Sequence, residues 1–134
     1  MSTDGKKLGI AIVCVDWRLH QKEVRIAEKV RDALGVDVVD VVAFPGPDGI
    51  VESQRSGDSA ALLSWLELLI DAHHPVAIAL VGHYNCAANA CDDTKHDSDA
   101  KKTTEYLKTE SKFENIRGFS AVRNSDTDWD LKEL

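Results

Sequence analysis

A chain of 134 residues, 43% hydrophobic and 29% charged, has the balance of one globular domain with an ordinary packed core. Its formal net charge of −7, with no long basic run, argues against nucleic acid or an anionic membrane surface as a partner. Three cysteines are too few, and odd in number, for a secreted disulfide framework, so reduced thiols in a cytoplasmic setting are expected, with their sulfurs free to bind metal.

Leu8 to Val15 is short, continuous and β-branched, which predicts a strand buried on both faces rather than a signal sequence; no small-x-small cleavage pattern follows it. From His20 to Leu34 the apolar residues Val24, Ala27, Val30 and Leu34 recur at helical period, and Gly35 is a natural stop. Val36 to Phe44 reads as a second strand, and the Pro45-Gly-Pro-Asp-Gly49 cluster as a loop. Asp58 or Ser59 can cap a helix from Ala60 to about Ala72, ended by Pro75. Val76 to Val81 is a third buried strand, closed by Gly82-His83. Asn85 is expected to cap a short helix through Ala90, and 92–99 to form a loop. Ser98 is expected to cap an exposed, largely polar helix reaching about Lys112. Ile116 to Val122 is a weaker fourth strand, and 124–134 an acidic tail with Trp129 its one large anchor.

Strands alternating with helices predict an α/β fold: three layers, a mainly parallel sheet of four strands in the order 2-1-3-4, and helices on both faces. In such a sheet the chain leaves strands 1 and 3 in opposite directions, and ligands bind in the crevice beyond their carboxyl ends. The chemistry-bearing residues cluster there. Cys14-Val-Asp16-Trp-Arg18 ends strand 1, and His83-Tyr-Asn-Cys86 ends strand 3. Two thiolates and an imidazole form a Cys2His set, which zinc accepts tetrahedrally with one position left for water; Asp16 is a candidate for that fourth place, so the site could be open or closed. A phosphatase-type cysteine loop is rejected by spacing, because three residues rather than five separate Cys14 from Arg18 and none is glycine.

Cys-x-Asp-x-Arg after the first strand, followed by Gly-His-x-x-Cys after the third, resembles the β-class carbonic anhydrases from about Leu8 to Val122. The resemblance implies Zn2+ held by Cys14, His83 and Cys86, with Asp16 and Arg18 as a catalytic dyad. It implies reversible hydration of carbon dioxide to bicarbonate by a zinc-bound hydroxide, and a homodimer or higher homo-oligomer. Within the same frame stand a zinc hydrolase of carbonyl sulfide or carbon disulfide, and a non-catalytic zinc-binding module. The chain departs from the family pattern at Ala87, where glycine is usual, and at Phe44-Pro45-Gly46-Pro47, where an Arg-Asn-Ala-Gly type segment is usual.

Other candidates carry plainer expectations. Cys91 lies off the Cys86 face and is read as structural, His20 as an exposed helix-start residue, and His73-His74 as a helix end complementing the dipole. Tyr84 lines the cleft or packs, and Trp65 belongs to the core or to a subunit interface. The alternating Asp126, Asp128 and Asp130 lack the glycine and glutamate of a calcium loop and read as solvated.

Overall fold

The computed structural model describes residues 4–52 and 57–134. Its centre is a five-stranded sheet in the order β2-β1-β3-β4-β5, built from β1 (Leu8–Cys14), β2 (Val38–Phe44), β3 (Ala77–His83), β4 (Ile116–Arg123) and β5 (Trp129–Glu133). The first four strands pair in parallel in the predicted 2-1-3-4 order. β5 corrects the expectation of four strands: it runs antiparallel to β4, with Trp129 opposite Arg123 and Glu133 opposite Phe119. What reads as an acidic tail is therefore an edge strand. Trp129 is buried and Leu131 half-buried, while the intervening Asp130 and Lys132 face water, and charge at alternate positions is how edge strands avoid pairing with other molecules.

β1 and β3 are buried at every position, as their unbroken apolar runs require. Their side chains alternate between two cores. Ala11, Val13, Ala79 and Val81 join Ile26 and Val30 of α1 (Ile26–Leu34), together with Phe119 and Trp129. On the other face Ile10, Ile12, Ile78 and Leu80 meet Leu62 and Leu66 of α2 (Asp58–His73) and Leu107 of α3 (Asp93–Ser111). Helices thus cover both faces, as expected. No helix among the described residues is long and apolar enough to cross a membrane.

Three boundaries differ from the sequence reading, each for a local reason. α1 begins at Ile26 rather than His20, because Arg25 adopts left-handed backbone (φ 46°) and Trp17–His20 form a 3-10 turn instead. α2 starts at Asp58 itself, preceded by left-handed Gly57, so neither Asp58 nor Ser59 is its cap. α3 takes in the expected 92–99 loop: the Asp92 carboxylate accepts the Lys95 backbone N–H as a true N-cap, six residues earlier than Ser98. Nor is α3 merely an exposed polar helix. His96, Asp99, Thr103 and Thr104 are buried, hydrophilic residues that an apolar stripe cannot reveal.

Candidate metal centre

β1 departs to β2 on one side and pairs with β3 on the other, so their carboxyl ends open a crevice at the switch point. Cys14 is the last residue of β1 and His83 the last of β3. Cys86 reaches the same place by a turn rather than by the expected helix from Asn85 to Ala90. Asn85 is left-handed (φ 58°), and Cys86 forms a bridge with Asn89. That reversal leaves the Cys86 sulfur facing Cys14.

The two sulfurs lie 4.0 Å apart, twice a disulfide bond length, and all three cysteines are free. Two thiolates sharing one tetrahedral zinc at about 2.3 Å each would sit roughly 3.8 Å apart, close to this separation. The two sulfurs and an imidazole nitrogen of His83 all fall within 4.8 Å of one another, and all three residues are buried. His83 Nδ1–H donates to the Tyr84 carbonyl at 2.9 Å, which leaves the Nε2 lone pair free, and Nε2 is buried with no hydrogen-bond partner among the described residues. A backbone carbonyl fixing one ring nitrogen while the other stays bare is the arrangement of a metal-ligating histidine.

The electrostatics fit a cation as well. The Cys86 thiol, donating to Cys14, is the largest influence drawing Cys14 down to about 4, and the Gly46 and Asp16 backbone N–H groups act in the same direction. The same contact pushes Cys86 up, assisted by burial. Two thiolates this close repel one another, and a divalent ion is what would let both ionise. Burial disfavours the charged form of His83, but the Cys14 sulfur and Asp16 outweigh it and leave the imidazole raised.

Asp16 and Arg18 form the expected pair in a two-pronged geometry. Arg18 Nε lies 3.1 Å from Asp16 Oδ1, and Arg18 Nη2 lies 2.6 Å from Oδ2, while the Arg18 backbone N–H also donates to Oδ1 at 3.0 Å. The guanidinium holds the Asp16 carboxyl below its usual range. Asp16 Oδ2 stands 3.8 Å from His83 Nε2, beside the ligand cluster rather than bonded to the imidazole.

Arg18 is fixed in turn by two contacts the sequence reading missed. Its Nη2 donates to the Asn85 carbonyl at 3.0 Å, and its guanidinium carbon lies 5.7 Å from the centre of the Trp129 ring. Trp129 also meets His83 edge-on at 6.1 Å. The clue available in sequence was the alternation of Trp129 and Leu131 with charged residues.

A cleft of about 500 Å³ opens on the cluster, lined by Cys14, Asp16 and Arg18 and by the apolar Val15, Trp17, Pro45 and Ala87. Other candidates fall outside the ligand set. Cys91 is half-buried and not among the converging groups. His20 is exposed and bonds the Cys14 carbonyl through Nε2 at 2.8 Å. His73 closes α2 beside Asp40, with Nδ1 2.5 Å from Oδ2. Tyr84 bonds Asp97 through its hydroxyl. Trp65 is exposed on α2, meeting Phe44 edge-on at 5.7 Å.

A family described as "Putative carbonic anhydrase" matches residues 4–126. No curated protein matches the chain.

Proposed function

The chain belongs to this carbonic anhydrase family, and we propose that it is a zinc-dependent enzyme that hydrates carbon dioxide reversibly to bicarbonate. The observation that carries the reading is the convergence of Cys14, His83 and Cys86 at the switch-point crevice, with Asp16 beside them. Those three residues would hold the ion. A bound zinc ion supplies a water acidic enough to attack an electrophilic carbon near neutral pH.

The remaining work falls to the chain's own side chains. Asp16, kept ionised by Arg18, accepts a hydrogen bond from the attacking water and turns a lone pair of that water toward the substrate. Arg18, held by the Asn85 carbonyl and by Trp129, keeps Asp16 from swinging into the ligand set. Val15, Trp17, Pro45 and Ala87 offer apolar walls suited to a small uncharged linear molecule. The reading includes a homodimer, supported by Val41, Trp65 and Leu68, which stand exposed on β2 and α2; solution mass tests that part.

Stopped-flow hydration assays on zinc-loaded protein test the reaction. Asp16→Asn should lower the rate about 100-fold with zinc content unchanged. Arg18→Lys, which loses the fork but keeps the charge, should lower it at least about tenfold. A wild-type rate equal to that of buffer, or full activity in Asp16→Asn, refutes the proposal. Carbonyl sulfide and carbon disulfide assayed in parallel define which linear electrophile the walls prefer.

A further inference from the structure

Behind the sulfurs lies a buried polar layer that the proposed reaction does not use. Asp48 and His96 are 1% and 0% exposed, with His96 Nδ1 2.7 Å from Asp48 Oδ2. Burying such a pair is costly, and His96 Nε2 has no hydrogen-bond partner among the described residues, so the pair is a poor device for stability alone. Its surroundings point to another role. The Asp48 carbonyl accepts from Thr103 Oγ1 at 2.7 Å, and its carboxylate accepts the Gly49 N–H at 3.0 Å. The same 45–50 loop carries the Gly46 N–H, 3.4 Å from Cys14 Sγ.

The turn bearing Cys86 is anchored on the same helix. The Asn89 backbone N–H donates to the Cys86 carbonyl at 3.3 Å and closes the turn. Asn89 Nδ2 donates to Asp99 Oδ2 at 3.2 Å, and Lys95 Nζ grips both oxygens of Asp99 at 2.9 Å. The loop and the turn also touch each other. A Cβ on Gly46 would lie 3.0 Å from the Ala88 Cβ, and one on Gly49 only 2.5 Å from Asn89 Cγ.

We infer that Asp48 and Asn89, anchored on the buried polar face of α3 by His96, Thr103 and Asp99, are positioning residues: Asp48 holds the loop whose Gly46 N–H points at the Cys14 sulfur, and Asn89 holds the turn that presents Cys86. The inference rests on the metal reading above: an oriented N–H disperses the negative charge of the Cys14 thiolate, and a fixed turn holds the Cys86 sulfur where both can share one cation. It explains why α3 buries hydrophilic residues where leucines would pack more cheaply. The Gly46 backbone lies directly against Ala88, so the loop and the turn meet with little room for a side chain at Gly46.

The test is zinc affinity of the full chain, by competition with a chromogenic chelator, together with the sulfur-to-metal charge-transfer band of the cobalt-loaded protein. Asp48→Ala and Asn89→Ala should each weaken zinc binding about 10- to 100-fold and shift that band. Thr103→Val, which removes one anchor and keeps the shape, should weaken binding less, and it carries the test with Asn89→Ala if Asp48→Ala does not fold. Val30→Ala, a core truncation under α1, is the control: it should lower the denaturation midpoint and change zinc affinity about threefold or less. Asp48→Ala and Asn89→Ala that bind zinc like the wild type, with an unshifted band, overturn the inference while the metal reading stands. A wild-type chain that binds no zinc overturns both.

Discussion

Gly82→Ala makes the sharpest structural prediction, because one methyl group is added where no space exists. Gly82 immediately precedes His83, and its φ is not among the positive values, so alanine's backbone preference is not at issue. A Cβ there would stand 2.5 Å from Asp48 Oδ2, 2.6 Å from Asp48 Cβ and 2.7 Å from Asp48 Cγ. The closest of these falls 0.9 Å short of the 3.4 Å at which ordinary contact begins. Neither side can yield easily. Asp48 is held by His96 and by the Gly49 N–H, and Gly82 is paired with Ser120 of β4. Overpacking of this kind costs about 1–3 kcal/mol. With a urea slope of about 2 kcal/mol/M, the denaturation midpoint should fall by roughly 0.5–1.5 M at unchanged slope. Asp48→Ala added to Gly82→Ala should not restore it, since the Asp48 Cβ is itself one of the clashing atoms. A Gly82→Ala midpoint within about 0.2 M of wild type would refute the packing argument.

Trp129→Ala should destabilise the chain by about 3–5 kcal/mol in urea denaturation, because a 1% exposed indole that closes one core is lost. Trp129→Phe should cost markedly less, since the buried indole N–H has no partner among the described residues; equal losses in the two variants would contradict the burial assigned to this strand. Lys132→Met tests the charge network on β5. Burial pushes the Asp97 carboxyl up, but Lys132, Ser120 and Tyr84 outweigh it and leave it below its ordinary value. A carboxyl lowered on folding stabilises above its ordinary value near ~3.9, and that contribution is lost as pH falls through the lowered one. Lys132→Met should therefore be less stable than wild type at pH 7, with the gap closing below about pH 4. A gap that persists unchanged to pH 2 would contradict it.

Sequence pattern revealed what hydrophobic continuity and motif spacing can reveal. The strands around Ile10, Val42 and Ile78 are apolar runs, and their parallel order follows from alternation with helices. Cys14, Asp16, Arg18, His83 and Cys86 could be placed together because each lies at or just beyond a strand's carboxyl end. Charge concealed the rest. β5 carries aspartate, lysine and glutamate at its water-facing positions, and the start of α3 is polar on the side it buries. The turn at Asn85 escapes for a third reason. Asparagine favours a helix cap and left-handed backbone alike, and local sequence does not decide between them. The Asp48–His96 pair gave no sequence signal, since its partners stand 48 positions apart and neither belongs to a motif.

X-ray absorption at the zinc edge of the purified protein tests the central claim most directly. The account predicts about one zinc per chain, with two sulfurs at about 2.3 Å and one imidazole nitrogen at about 2.0 Å in its shell, and one sulfur fewer in Cys86→Ser. A protein that retains no zinc on loading, or a shell of oxygen and nitrogen alone, would contradict it.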